Sequence, residues 1–108
     1  MTESQLMDRV RLVLGSDSSG VWWRNNTGVA ETRGYTIRYG LGNGSADLIG
    51  CFRSRFVAIE VKTPTGRQSE DQKRWQGCLE RHGGIYAIVR SEDDARALLG
   101  ELHRRFPS

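Results

Sequence analysis

Behind Thr2 and Gln5, a capping-box pair, apolar residues recur at helical spacing at Leu6, Val10, Val13 and Leu14, so the chain opens with a helix over about residues 3 to 14. A turn at Asp17–Gly20 leads into a strand-like run, Val21–Asn26, and then into a polar, glycine-bearing connection, Thr27–Gly34. Tyr35–Tyr39 alternates as a short strand. After the permissive Gly40–Gly44 segment, Ala46–Cys51 and Arg55–Lys62 read as two strands joined by a turn at Arg53–Ser54, an antiparallel hairpin. Ser69 and Gln72 form a second capping box, opening a helix over about 69 to 82 with Gln72, Trp75 and Leu79 on one stripe. Ile85–Val89 is a compact apolar strand. Ser91 caps a last helix that turns Ala95, Leu98, Leu99 and Leu102 inward. Helix, several strands, helix, strand, helix (α-β-β-β-α-β-α in its regular elements) predicts an α/β fold, a small mixed sheet with helices on both sides.

Length and composition narrow this picture. At 108 residues one domain is expected, covering 1–108. With 37% hydrophobic and 27% charged residues, the chain has enough apolar mass for a core and is not a disordered tail. No apolar run reaches the ~20 residues of a membrane span, and no basic-then-apolar leader opens the chain. The expected location is therefore cytoplasmic, without a membrane partner. Cys51 and Cys78 belong to no C-x-x-C and are expected to be buried, inert thiols. The net charge of +3 is modest, but only Lys62 and Lys73 among the 16 basic residues are lysines. Such arginine bias suits phosphate recognition, and equally a GC-rich genome.

The candidate chemistry lies where charge interrupts apolar pattern. Glu3 shares the stripe of Leu6, Val10 and Val13, which points a carboxylate toward the inner side of the first helix, although dipole compensation is an ordinary role there. Asp47 follows Gly42 and Gly44 and opens an otherwise apolar strand, a place where aspartate is also ordinary turn chemistry. In Phe56–Lys62, alternation places Glu60 and Lys62 on one face and Val57, Ile59 and Val61 on the other. Two opposite charges at the end of so apolar a strand call for a partner, or form a same-face ion pair on a solvated surface.

Taken together, Asp47, Glu60, Lys62 and an auxiliary Glu3 supply the parts for phosphodiester cleavage. A hard cation such as Mg²⁺ or Mn²⁺ takes oxygen ligands, here the two carboxylates and the Val61 carbonyl, and generates hydroxide near neutral pH. A neighbouring lysine orients the attacking water and offsets the charge of the transition state.

The spacing Asp47, twelve residues, Glu60-Val-Lys62 resembles the PD-(D/E)xK nuclease superfamily. Arg24-Asn-Asn-Thr-Gly28, Gly44-Ser-Ala-Asp-Leu48, Glu60-Val-Lys-Thr-Pro-Thr-Gly-Arg67 and Ser69-Glu-Asp-Gln-Lys-Arg-Trp75 are similar to the VRR-NUC domain of the small stand-alone kind found in phages and bacteria. The resemblance runs from Glu3 to about Val89. It implies a restriction-endonuclease-like core, Asp47 and Glu60 as metal ligands, Lys62 as catalytic lysine, Glu3 as first-helix acid and Gln72 as a site residue. It also implies cutting of branched DNA, four-way (Holliday) junctions among the substrates, by a homodimer. Proline often precedes the aspartate in this family, and Ala46 stands there instead; that position shapes a turn and carries no chemistry.

Weaker signals fill in the surroundings. Arg24, Asn25, Asn26 and Arg67 carry donors suited to DNA phosphates, and each is equally readable as an exposed bystander. One of Trp22 and Trp23 belongs in the core, and the other is either an exposed surface side chain or free to stack on a base or a partner. Trp75 reads as core, and His82 and His103 as helix C-terminal charges. Gly40–Gly44 lacks the spacing of a nucleotide-cofactor loop, so none is expected. The leading expectation is a Mg²⁺- or Mn²⁺-dependent DNA endonuclease. A catalytically silent DNA-binding module and a sequence-specific restriction-type nuclease are the alternatives.

Overall fold

The computed structural model describes residues 1–108. In chain order the elements are α1 (Glu3–Gly15), β1 (Gly20–Arg24), β2 (Gly28–Thr32), β3 (Tyr35–Tyr39), β4 (Leu48–Phe52), β5 (Arg55–Val61), α2 (Glu70–Arg81), β6 (Ile85–Val89) and α3 (Glu92–Arg105). All three helices start at the expected caps. The Thr2 and Ser69 hydroxyls accept from the backbone of Gln5 and Gln72, whose side chains accept in return from the cap N–H groups. Ser91 caps α3 through the Asp94 N–H.

β1, β4, β5 and β6 form one sheet in that order. The pairs β1–β4 and β4–β5 are antiparallel, whereas β6 joins β5 in parallel, with α2 as the crossover between them. Alternation along β5 sends Val57, Ile59 and Val61 to one face, where Leu6, Val10 and Leu14 of α1 and Ala95, Leu98 and Leu102 of α3 complete the core. Each large side chain buried there contributes roughly 1.5–3 kcal/mol. The other face receives Ala58 and Glu60, and α2 covers it on the β6 side.

Because α2 reaches only that side, Val21, Cys51 and Phe56, which lie opposite one another across β1, β4 and β5, are exposed, as is Trp23 beside them. This corrects the expectation of buried thiols. Leu48, Gly50 and Phe52 turn inward on β4, which turns Cys51 outward, and Cys78 is exposed on α2. Trp22 is the inward member of its pair. It packs opposite Gly50, where any side chain would overlap its indole.

β2 and β3 form a separate two-stranded arm. Thr27–Gly34, read as a connection, therefore contains a strand. Its two-residue tip, Arg33–Gly34, takes positive φ at both positions, the backbone twist that suits a tight hairpin. His103 lies in the last turn of α3, as expected, and in addition contacts Asp17 at 2.6 Å and stacks edge-on against Phe52. The His103 contact holds the Asp17 carboxyl below its usual range. No helix is long and apolar enough to cross a membrane.

Candidate active site

The antiparallel register of β4 and β5 pairs Leu48 with Ile59, so the next residues along, Asp47 and Glu60, face each other where the ladder ends. Asp47 is fixed at both its ends. Its carbonyl accepts from the Asn25 N–H at 2.8 Å, and its Oδ2 accepts from the Val61 N–H at 2.8 Å. The Val61 carbonyl leaves the strand on that same side, past the end of β4.

Glu60 is only 2% exposed, yet both of its oxygens are satisfied. Oε1 accepts from Gln72 Nε2 at 2.8 Å and Oε2 from the Tyr86 hydroxyl at 2.9 Å. Burial and the neighbouring Asp47 charge raise its carboxyl to about 7, against the pull of the Tyr86 hydrogen bond and the Lys62 ammonium. Burial, with the Glu60 charge next, also pushes the Tyr86 phenol well above its usual range. Lys62 is half-buried just past β5, its N–H donating to the Val89 carbonyl at 3.0 Å.

The loop before β4 is locked against α2. Gly44 has φ +77°, and a Cβ there would overlap the Asp71 carbonyl in the first turn of that helix. This close approach sets Asp47 and Gln72 around Glu60. Gly44→Ala combines left-handed strain with a backbone clash and is expected to cost about 2 kcal/mol or more. A thermal melt checks this, and an unchanged midpoint would show that loop and helix are not in register.

Of the residues expected at the site, the structure brings together Asp47, Glu60, Val61, Lys62 and Gln72. Gln72 serves twice, since its Oε1 completes the Ser69 cap while its amide nitrogen holds Glu60. Glu3 does not point inward as expected: it is exposed in the first turn of α1, one turn before burial begins at Leu6. No third His, Cys, Asp or Glu joins the two carboxylates. Asn25 uses its side chain within the fold, donating to Ser45 Oγ and the Ala46 carbonyl and accepting from the Leu41 N–H. Arg24, Asn26 and Arg67 are exposed. Tyr86 and Gln68, which donates to the Tyr86 hydroxyl at 3.2 Å, were not expected at the site.

The donor set fits a hard divalent cation. Asp47 and Glu60 offer like-charged carboxylates whose mutual repulsion a cation would relieve, and each oxygen engaged by one donor keeps a lone pair. The Val61 carbonyl adds a neutral oxygen.

A solved structure described as a VRR-NUC domain superimposes on 91% of this chain and 94% of its own length with a TM-score of 0.65. At 16% identity this likeness shows a shared fold. No curated protein matches the chain. The family description that matches is the VRR-NUC domain, over residues 29–93, which spans the β2–β3 arm, both carboxylates, Lys62, α2 and β6. Over more than half its length the sequence carries that signature, and the chain belongs to the VRR-NUC family of DNA-processing nuclease domains.

Proposed function

We propose that the protein is a Mg²⁺- or Mn²⁺-dependent endodeoxyribonuclease that hydrolyses phosphodiesters in branched DNA, four-way junctions included, and acts as a homodimer. The observation that carries this reading is the apposition of Asp47 and Glu60 across β4 and β5, with Glu60 buried and Lys62 beside it. Asp47, Glu60 and the Val61 carbonyl would hold the cation. Bound there, a divalent ion supplies Lewis acidity and makes water a nucleophile near neutral pH. Lys62 orients the attacking water and faces the negative charge that grows on the phosphate, an interaction that strengthens toward the transition state. Gln72 and the Val61 N–H keep the two carboxylates aimed, and Arg24, Asn26 and Arg67 bind the DNA backbone.

One such site cuts one strand, so paired cuts in a junction need a second copy, most simply across a twofold axis. Labelled linear, flap and four-way DNA incubated with protein and Mg²⁺ or Mn²⁺ test the substrate, and light scattering with junction DNA tests the stoichiometry. Faster cutting of the four-way substrate by a two-chain complex is expected. Equal cutting of linear DNA would remove the branch preference, and a monomer on the junction would remove the paired cut.

A further inference from the structure

We propose that Tyr86 is a positioning residue for Glu60, aimed by a side-chain relay that starts at Gln76 and passes through Gln68. This rests on the metal-site reading of Asp47 and Glu60 given above. Tyr86 lies on β6 opposite Ala58, two residues from the Glu60 level in register and therefore on the same sheet face, among Ile85, Ala87 and Ile88. A hydroxyl in so apolar a strand needs a defined partner.

A phenol has one proton to give. Gln68 Nε2 donates to the Tyr86 oxygen at 3.2 Å, so that oxygen is already an acceptor, and its own proton goes to Glu60 Oε2 at 2.9 Å. The same Gln68 nitrogen donates to Gln76 Oε1 at 2.8 Å, so one amide group links α2 to the Tyr86 hydroxyl. Trp75 packs against the Tyr86 ring, with centroids 6.2 Å apart, and limits its swing. Gln72 from α2 grips Oε1 and Tyr86 from β6 grips Oε2. The carboxylate is thereby held from two elements, with one lone pair on each oxygen left for a cation. Outer partners of this kind are worth about 10- to 100-fold in metal affinity.

Tyr86→Phe keeps the ring and removes only the hydroxyl. Calorimetric titration of Mn²⁺ into the full chain without DNA is expected to show an affinity about 10-fold weaker for this variant than for wild type. Gln68→Leu should give a smaller weakening in the same direction. Single-turnover cleavage should show the same split, with the activity lost at low Mn²⁺ recovered as Mn²⁺ is raised, which a merely structural defect would not allow. Wild-type Mn²⁺ affinity in Tyr86→Phe overturns the proposal and leaves the metal site standing. If wild type binds no Mn²⁺, or if Asp47→Asn binds it as wild type does, the metal-site reading fails and this proposal fails with it.

Discussion

Asp47→Asn is expected to fold as wild type does and to cut DNA about 10³-fold more slowly or worse. The two halves of this prediction have separate physical causes. Asp47 ties the loop before β4 to β5 by accepting the Val61 N–H, and an asparagine oxygen accepts that bond equally well. The carbonyl contact with Asn25 is main-chain and is untouched. What disappears is a full negative charge beside Glu60, hence half of the charge available to hold a divalent cation. A melt within a few degrees of wild type together with a rate loss of that size would separate chemistry from folding. A variant that cuts within tenfold of wild type would remove Asp47 from the site.

Glu60→Gln is expected to remove a pH dependence of stability that the wild type carries. In the folded chain Glu60 keeps its proton up to about 7, against the usual 4.5. Between those values the folded state binds more protons than the unfolded state, so the metal-free protein loses stability as pH rises, by up to about 1.4 kcal/mol per unit. Burial is the first cause and the Asp47 charge the second, and a neutral amide escapes both. The amide has one oxygen where the carboxylate has two, so Gln72 or Tyr86 loses an acceptor, at about 1 kcal/mol. Melts in chelator should therefore cross. At pH 5 the variant is no more stable than wild type, and above pH 7 it is the more stable of the two. Mg²⁺ should raise the wild-type melt at pH 8 and leave the variant unmoved. A constant difference between the two proteins from pH 5 to 8 would mean that Glu60 titrates as an ordinary surface carboxylate.

Much of this site is legible in the sequence because it rests on local rules. Capping boxes mark where α1 and α2 begin, and two-residue alternation separates Glu60 from Val57, Ile59 and Val61 before any register is known. The parts that escape depend on tertiary facts. Tyr86 sits in an apolar run on the parallel edge of the sheet, where alternation carries no polarity signal and only the pairing with β5 reveals which face it takes. Asn25 resembles a phosphate donor in its motif, yet the loop at 41–46 consumes its amide. β2 escapes because Gly28-Val-Ala-Glu-Thr32 is a poor strand former in isolation and gains its order from β3 through an Arg-Gly tip in place of the usual Asn-Gly. Glu3 lies on the apolar stripe by angle, but the packed part of α1 starts one turn later. Cys51 is exposed because α2 covers only part of the sheet, a matter of helix placement that no local pattern records.

Metal-dependent cutting at Asp47 and Glu60 is tested by following labelled four-way DNA mixed with metal-stripped wild-type protein, before Mg²⁺ is added, after it is added, and after it is chelated, with Asp47→Asn alongside. Intact DNA is expected at first, discrete cut products once Mg²⁺ is present, arrest on chelation, and no cutting by the variant at any stage. Products that accumulate in chelator, or at equal rates in the variant, would contradict metal-dependent cutting at this pair.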